Sequence, residues 1–150
     1  MSSQDVQRPV CIIGLGLIGG SLLRDLAAAR HSVYGYNHST SGARTAIKQG
    51  YDVTDDLPAI LHRAEEDNAL IVVAVPMDAV ASVLDSIQEH APSCGLTDVV
   101  SVKTEVRQLI VQRNMESRYV GGHPMAGTSK SGWENSHTCL LYTSDAADEE

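Results

Sequence analysis

Apolar residues along this chain fall in short uninterrupted runs, separated by stretches in which they recur every three or four positions. Val10 to Ile13 is the first run. It leads through a glycine-rich turn into SLLRDLAAAR, where Leu22, Leu23, Leu26 and Ala27 have helical spacing. After the punctuation of His31 and Ser32, VYGY predicts a second strand. Ser41 to Gln49 predicts a helix closed by Gly50, a suitable residue just past a helix C-terminus. A weakly signalled strand is expected over Tyr51 to Val53, then a helix over LPAILHRA and a strand over ALIVVAVP. The absence of polar alternation in ALIVVAVP fits a strand covered on both faces. Met77 to His90 predicts an amphipathic helix with Val80, Val83, Leu84 and Ile87 inward. Thr97 to Val100 then predicts a strand, Thr104 to Arg113 a helix, and Arg118 to Val120 a final strand.

Strands that alternate with helices of this length imply an α/β fold of the doubly wound, Rossmann type. Its sheet is mainly parallel, its crossovers right-handed, and helices cover both faces. Ligands of such sheets bind at the carboxyl ends of the strands. The glycine-rich turn, Val75-Pro76, Ser101-Val102-Lys103 and Gly122-His123 are therefore expected to gather along one edge.

Composition narrows the picture. At 150 residues and 43% hydrophobic, the chain suits one domain with a real core. No apolar run approaches the roughly 18 residues of a membrane span, and MSSQDVQRP lacks the layout of a secretory signal, so a cytoplasmic location is expected. Cysteines at 11, 94 and 139 make neither a paired framework nor a metal-ligand spacing, and no metal centre is expected; Cys11 reads as a core residue. A net charge of -8 argues against nucleic acid as a partner. Cys139 to Glu149, CLLYTSDAADE, matches residue for residue the translation of a transposase-type sequencing adapter; the alternative is a genuine acidic terminus. Residues 1–138 are accordingly expected to form the domain and 139–150 a non-native tail.

Gly14-Leu15-Gly16-Leu17-Ile18-Gly19 fits the dinucleotide fingerprint. The first glycine makes the turn, the second admits a pyrophosphate, and the third allows close helix packing. The following helix N-terminus supplies N–H groups and partial positive charge for the phosphates. At the end of the second strand, where NAD-binding domains usually carry an acid, this chain has Asn37, followed by His38, Ser39, Thr40 and later Arg44. A carboxylate there would repel a 2'-phosphate, so NADP is favoured over NAD. His38 and Arg44 fit a solvated loop and helix face nearly as well. In DVVSVK, Ser101 or Thr104 could cap the next helix, a role compatible with catalysis, and Lys103 could face a bound anion or water. His123, framed by Gly121, Gly122 and Pro124, is the candidate to accept a hydroxyl proton as hydride leaves an alcohol. His31, His38, His62, His90 and His137 lack such a frame and read as surface or turn residues.

GLGLIGGS, DVVSVK and GGHPMAGTSKSGW, in that order, make residues 9–138 resemble the nucleotide-binding half of prephenate/arogenate dehydrogenase of tyrosine biosynthesis, part of aromatic amino acid biosynthesis. The resemblance implies oxidation of the ring C4 alcohol of prephenate or arogenate, hydride transfer to NAD(P), and loss of the ring carboxylate as carbon dioxide. It implies that His123 hydrogen-bonds the C4 hydroxyl with support from Ser101. Asn37 is similar to the residue in NADP-using, arogenate-preferring members. Members of the family continue into a helical domain that makes the dimer and supplies an arginine for the substrate carboxylate. No counterpart follows Ser136, so the chain as written is expected to bind cofactor weakly, to aggregate and not to turn over substrate. Two other readings of the fingerprint are a hydroxy-acid dehydrogenase or imine reductase, and a non-catalytic dinucleotide-sensing module.

Overall fold

The structure is a computed structural model that describes residues 8–100 and 103–120. Among the described residues six strands form one sheet: β1 (Val10–Ile13), β2 (Val33–Tyr36), β3 (Val53–Thr54), β4 (Leu70–Val73), β5 (Leu96–Asp98) and β6 (Tyr119–Val120). Five α-helices connect them: α1 (Leu17–Ala28), α2 (Thr40–Lys48), α3 (Leu57–Asp67), α4 (Met77–His90) and α5 (Lys103–Gln112). The strand order is β3-β2-β1-β4-β5-β6 and every pairing is parallel. The fold is the expected Rossmann-type α/β arrangement, with the strand order reversing between β1 and β4.

Alternate residues of each strand feed two separate cores. Cys11 and Ile13 of β1, with Ile71 and Val73 of β4, pack among Ile60, Leu61 and Ala64 of α3 and Val80, Val83, Leu84 and Ile87 of α4. Ile12 and Val72 face the other way, onto Leu22, Leu23 and Leu26 of α1 and Ala43 of α2. The run ALIVVAVP is apolar throughout because both faces of its strand are buried. Its paired portion is only Leu70–Val73.

The helix ends follow local chemistry. Ser39 caps α2 by accepting from Gly42 N at 3.1 Å, and Gly50 leaves the helix at φ +97, a conformation that glycine tolerates. Asp56 caps α3 through Ala59 N at 3.1 Å, and Asn68 ends it in the left-handed region. A polar cluster joins β2 to α3. The buried Tyr34 donates to Asp67 Oδ2 at 2.8 Å, while the Arg63 guanidinium lies 3.7 Å from its ring centroid and grips both oxygens of Asp52. Burial pushes the Tyr34 hydroxyl pKa up, and its bond to Asp67 adds to the shift.

Both ends of the second and last helices and the start of β5 shift by one residue from the sequence pattern, and three departures have a visible cause. Tyr51 is not in β3: its N–H donates to Ala46 O and still closes α2, so the strand begins at Val53. Val99 and Val100 are buried past the end of β5, as loop residues rather than strand. Arg118 belongs to a short 3-10 turn over Glu116–Arg118, where its guanidinium donates to Ala91 O at 2.7 Å and Cys94 O at 3.0 Å. Among the described residues no helix is long and apolar enough to cross a membrane.

Candidate functional site

Parallel register brings the strand ends to one edge. Ile13 pairs with Tyr36 and Val73, Val73 with Asp98, and Thr97 with Val120. At the centre of that edge, between β1 and β4, the three glycines of the turn do three different things. Gly14 has φ +107, and a Cβ there would lie 2.7 Å from Ala74 O and 2.9 Å from Val75 Cγ1. Gly19 is in ordinary helical territory, but its Cβ would overlap the Gly14 carbonyl oxygen; its bareness lets α1 lie against the end of β1. Gly16 differs from both. Its φ is -74, and a Cβ there would meet nothing within 4 Å. Neither backbone strain nor packing explains a glycine at 16, and the open direction suits the close approach of a ligand to the main chain.

The first turn of α1 points to the same kind of ligand. No side chain caps it and it carries no acid, whereas α2 and α3 are each capped by a side chain. The free N–H groups and positive dipole end of a twelve-residue helix are left for an anion such as a diphosphate. Leu17, 82% exposed, and Ile18 flank that turn as apolar surface. A cleft of about 310 Å³ runs from this turn between α1 and α2, past Leu15, Gly20, Arg24, Asn37, Gly42 and Thr45.

Asn37 stands at the end of β2, its N–H bonded to Thr54 O at 3.0 Å. Its Oδ1 accepts from Ser39 N at 3.1 Å, which turns its Nδ2 toward α2. There Gly42 makes room, since a Cβ on it would lie 2.5 Å from Asn37 Nδ2. The Ser39 hydroxyl is engaged as the α2 cap and lies 3.0 Å from Ser41 Oγ. Thr40 donates to Asp55 Oδ2 at 2.8 Å, which brings a carboxylate from the end of β3 to the start of α2.

The family model for the prephenate dehydrogenase nucleotide-binding domain matches residues 20–145. The chain belongs to this family. The prephenate dehydrogenase of Lactococcus lactis is 33% identical over 129 residues, covering 83% of this chain and 36% of that protein. A Corynebacterium glutamicum crystal structure, provisionally assigned as a prephenate dehydrogenase, is 64% identical with a TM-score of 0.77 over 85% of this chain and 39% of that one. The prephenate dehydrogenase of A. aeolicus, solved with hydroxyphenyl propionate and NAD+, is 27% identical with a TM-score of 0.65 over 85% of this chain and 45% of that one. The chain thus spans between a third and a half of the length of each.

In this prephenate dehydrogenase family chain, Gly14 to Gly19, Asn37, Val75 and Pro76 lie along one edge of the sheet, with Val75 against Gly14 and Pro76 opening α4. His38 and Arg44 are exposed beside and on α2. Lys103 is the first residue of α5. Ser101 and His123 lie outside the described residues. Of the remaining histidines, His31 is half-buried and donates from Nε2 to Arg8 O at 2.8 Å. His62 and the half-buried His90 are bonded to each other at 3.0 Å, so neither His31 nor His90 is a plain surface residue. Gly42 and Asp55 escaped the sequence reading, because each matters only through a contact with a neighbouring element.

Proposed function

We propose that the chain is the cofactor-binding part of a cytoplasmic, homodimeric oxidoreductase that oxidises and decarboxylates prephenate or arogenate, with NADP preferred to NAD. The observation that carries this reading is the open direction at Gly16 beside the uncapped start of α1, in a chain of the prephenate dehydrogenase family. When bound, the dinucleotide supplies a nicotinamide that accepts hydride. The α1 amides hold its diphosphate, and Gly16 lets the oxygens come close to the main chain. Asn37, a neutral amide at the end of β2, adds no negative charge of its own against a 2'-phosphate beside the Asp55 carboxylate that Thr40 holds, and His38, Ser39 and Arg44 are further donors nearby in sequence. Lys103 is the candidate to complete the anion contacts.

On this reading, neutral His123 accepts a hydrogen bond from the substrate's C4 hydroxyl and takes its proton, and Ser101 holds that contact in place. Loss of the ring carboxylate as carbon dioxide leaves an aromatic product and draws the reaction forward. The remaining length of the relatives is where a carboxylate-binding arginine and the dimer contacts belong. The test is to express the complete reading frame and follow NADPH or NADH formation with prephenate and with arogenate. Turnover with at least one, and a loss of at least about a hundredfold in His123→Asn, is expected. No absorbance rise with either substrate would overturn the reading, and full turnover in His123→Asn would remove the role given to that side chain.

A further inference from the structure

The last strand of the sheet is held in an unusual way. β6 has two residues in the ladder, Tyr119 opposite Leu96 and Val120 opposite Thr97, on the outer edge of β5. So short an edge strand has little main-chain hold on its own register. Two side chains of β5 add to it. Thr97 Oγ1 donates to Val120 O at 2.6 Å, and Tyr119 donates its hydroxyl to Asp98 Oδ1 at 2.9 Å. Asp98 is 1% exposed, whereas acids are almost never fully buried unless they are paired. If only cohesion were served, an apolar pair in place of Tyr119 and Asp98 would avoid the cost of taking a carboxylate out of water. What a directional bond to one oxygen adds is register.

Both partners stand just ahead of the residues proposed to act on substrate: Asp98 is three residues before Ser101, and Tyr119 four before His123. We propose that the Asp98–Tyr119 hydrogen bond is a positioning device that fixes the register of β6 and so the point from which the chain departs toward His123. The proposal rests on the functional reading above. A slip of one residue would displace that point by about 3.3 Å and turn the side chains to the opposite face of the sheet. A misplacement of about 1 Å is enough to cost on the order of a hundredfold in rate, so the register has to hold much more tightly than stability alone demands.

Tyr119→Phe, which removes one hydroxyl and no packing volume, tests this in the complete reading frame beside wild type and His123→Asn. The expected result is a kcat lowered about tenfold or more, a dinucleotide Kd within twofold of wild type, and faster amide hydrogen exchange at residues 120–123. Asp98→Asn, which keeps an oxygen acceptor for the hydroxyl, is expected to retain more of kcat than Asp98→Ala. A Tyr119→Phe enzyme with kcat within twofold of wild type overturns the proposal. So does a kcat loss without faster exchange at 120–123, or one matched by an equal loss of dinucleotide affinity, since those outcomes describe a different effect or a general loosening. Wild type that turns over neither prephenate nor arogenate sinks the functional reading instead. In that event the exchange rates alone decide, and unchanged rates in Tyr119→Phe overturn the positioning role.

Discussion

Replacing Gly14, Gly16 and Gly19 one at a time by alanine puts the same methyl group into three kinds of space. At Gly14 the methyl meets a backbone at φ +107, a strain of about 1–3 kcal/mol, and the Ala74 carbonyl 2.7 Å away, an overpacking of about 1–3 kcal/mol more. At Gly19 alanine gains up to about 1 kcal/mol as a better helix former, but its methyl overlaps the Gly14 carbonyl, a backbone atom that cannot rotate aside. A net loss of about 1–3 kcal/mol is expected there. At Gly16 the backbone is ordinary and the methyl touches nothing. Reduced freedom of the unfolded chain contributes about 0.4–1 kcal/mol in its favour, and a poorer N-cap costs a similar amount, so stability should stay within about 0.5 kcal/mol of wild type. Dinucleotide binding should behave in the opposite way. In Gly16→Ala the methyl stands where the diphosphate approaches, and Kd should rise at least about tenfold, or about 1.4 kcal/mol. Urea denaturation and calorimetric titration with NADP+ and NAD+, on variants of the complete reading frame, give the two quantities independently. Wild-type affinity in Gly16→Ala would refute the argument, because the open direction would then have no occupant. A stability loss in Gly16→Ala as large as that in Gly14→Ala would refute it from the other side.

Asn37→Asp should weaken NADP+ at least about tenfold while leaving NAD+ within a few-fold, read by equilibrium titration of each, since the new carboxylate would face a 2'-phosphate but could accept from ribose hydroxyls. Tyr34→Phe removes the hydroxyl bonded to Asp67 and should cost about 1 kcal/mol in urea denaturation with no change in dinucleotide affinity, because Tyr34 packs on the sheet face opposite α1 and α2. Cys94 is buried, and burial pushes its thiol up to about 11 from an ordinary 9.0. The unfolded thiol therefore ionises first; the contribution to stability is present below pH 9 and is lost as the pH rises toward 11, so wild type should lose stability over that window more steeply than Cys94→Ala. At pH 8, Cys11 and Cys94 should both resist a thiol reagent until the chain is unfolded, since both are completely buried.

Where a segment's burial and its pairing coincide, the sequence pattern told its structure. β1, β2 and α4 occupy the residues their apolar spacing implies, because each apolar position there also serves the ladder or the helix stripe. Where the two part, the pattern misleads. Val99 and Val100 are as buried as strand residues, yet they follow the end of β5; hydrophobicity reported their burial and could say nothing of their hydrogen bonds. At Tyr51 the error ran through the backbone, since an N–H that returns to Ala46 O leaves no trace in side-chain chemistry. Two demands of the glycine turn could be read because they are local, one φ at Gly14 and one close packing at Gly19, and the open space at Gly16 lies within the same six residues. Gly42 could not. A glycine inside a helix is ordinarily discounted as a loss of about 1 kcal/mol in helix stability. At position 42 that loss has a return visible only across two elements, for any side chain there would collide with the amide of Asn37 that Ser39 N has turned toward it. The amide at the end of β2 thus depends on a bare position in the next helix, and a larger residue at 42 would displace the Asn37 side chain with no substitution at 37 itself.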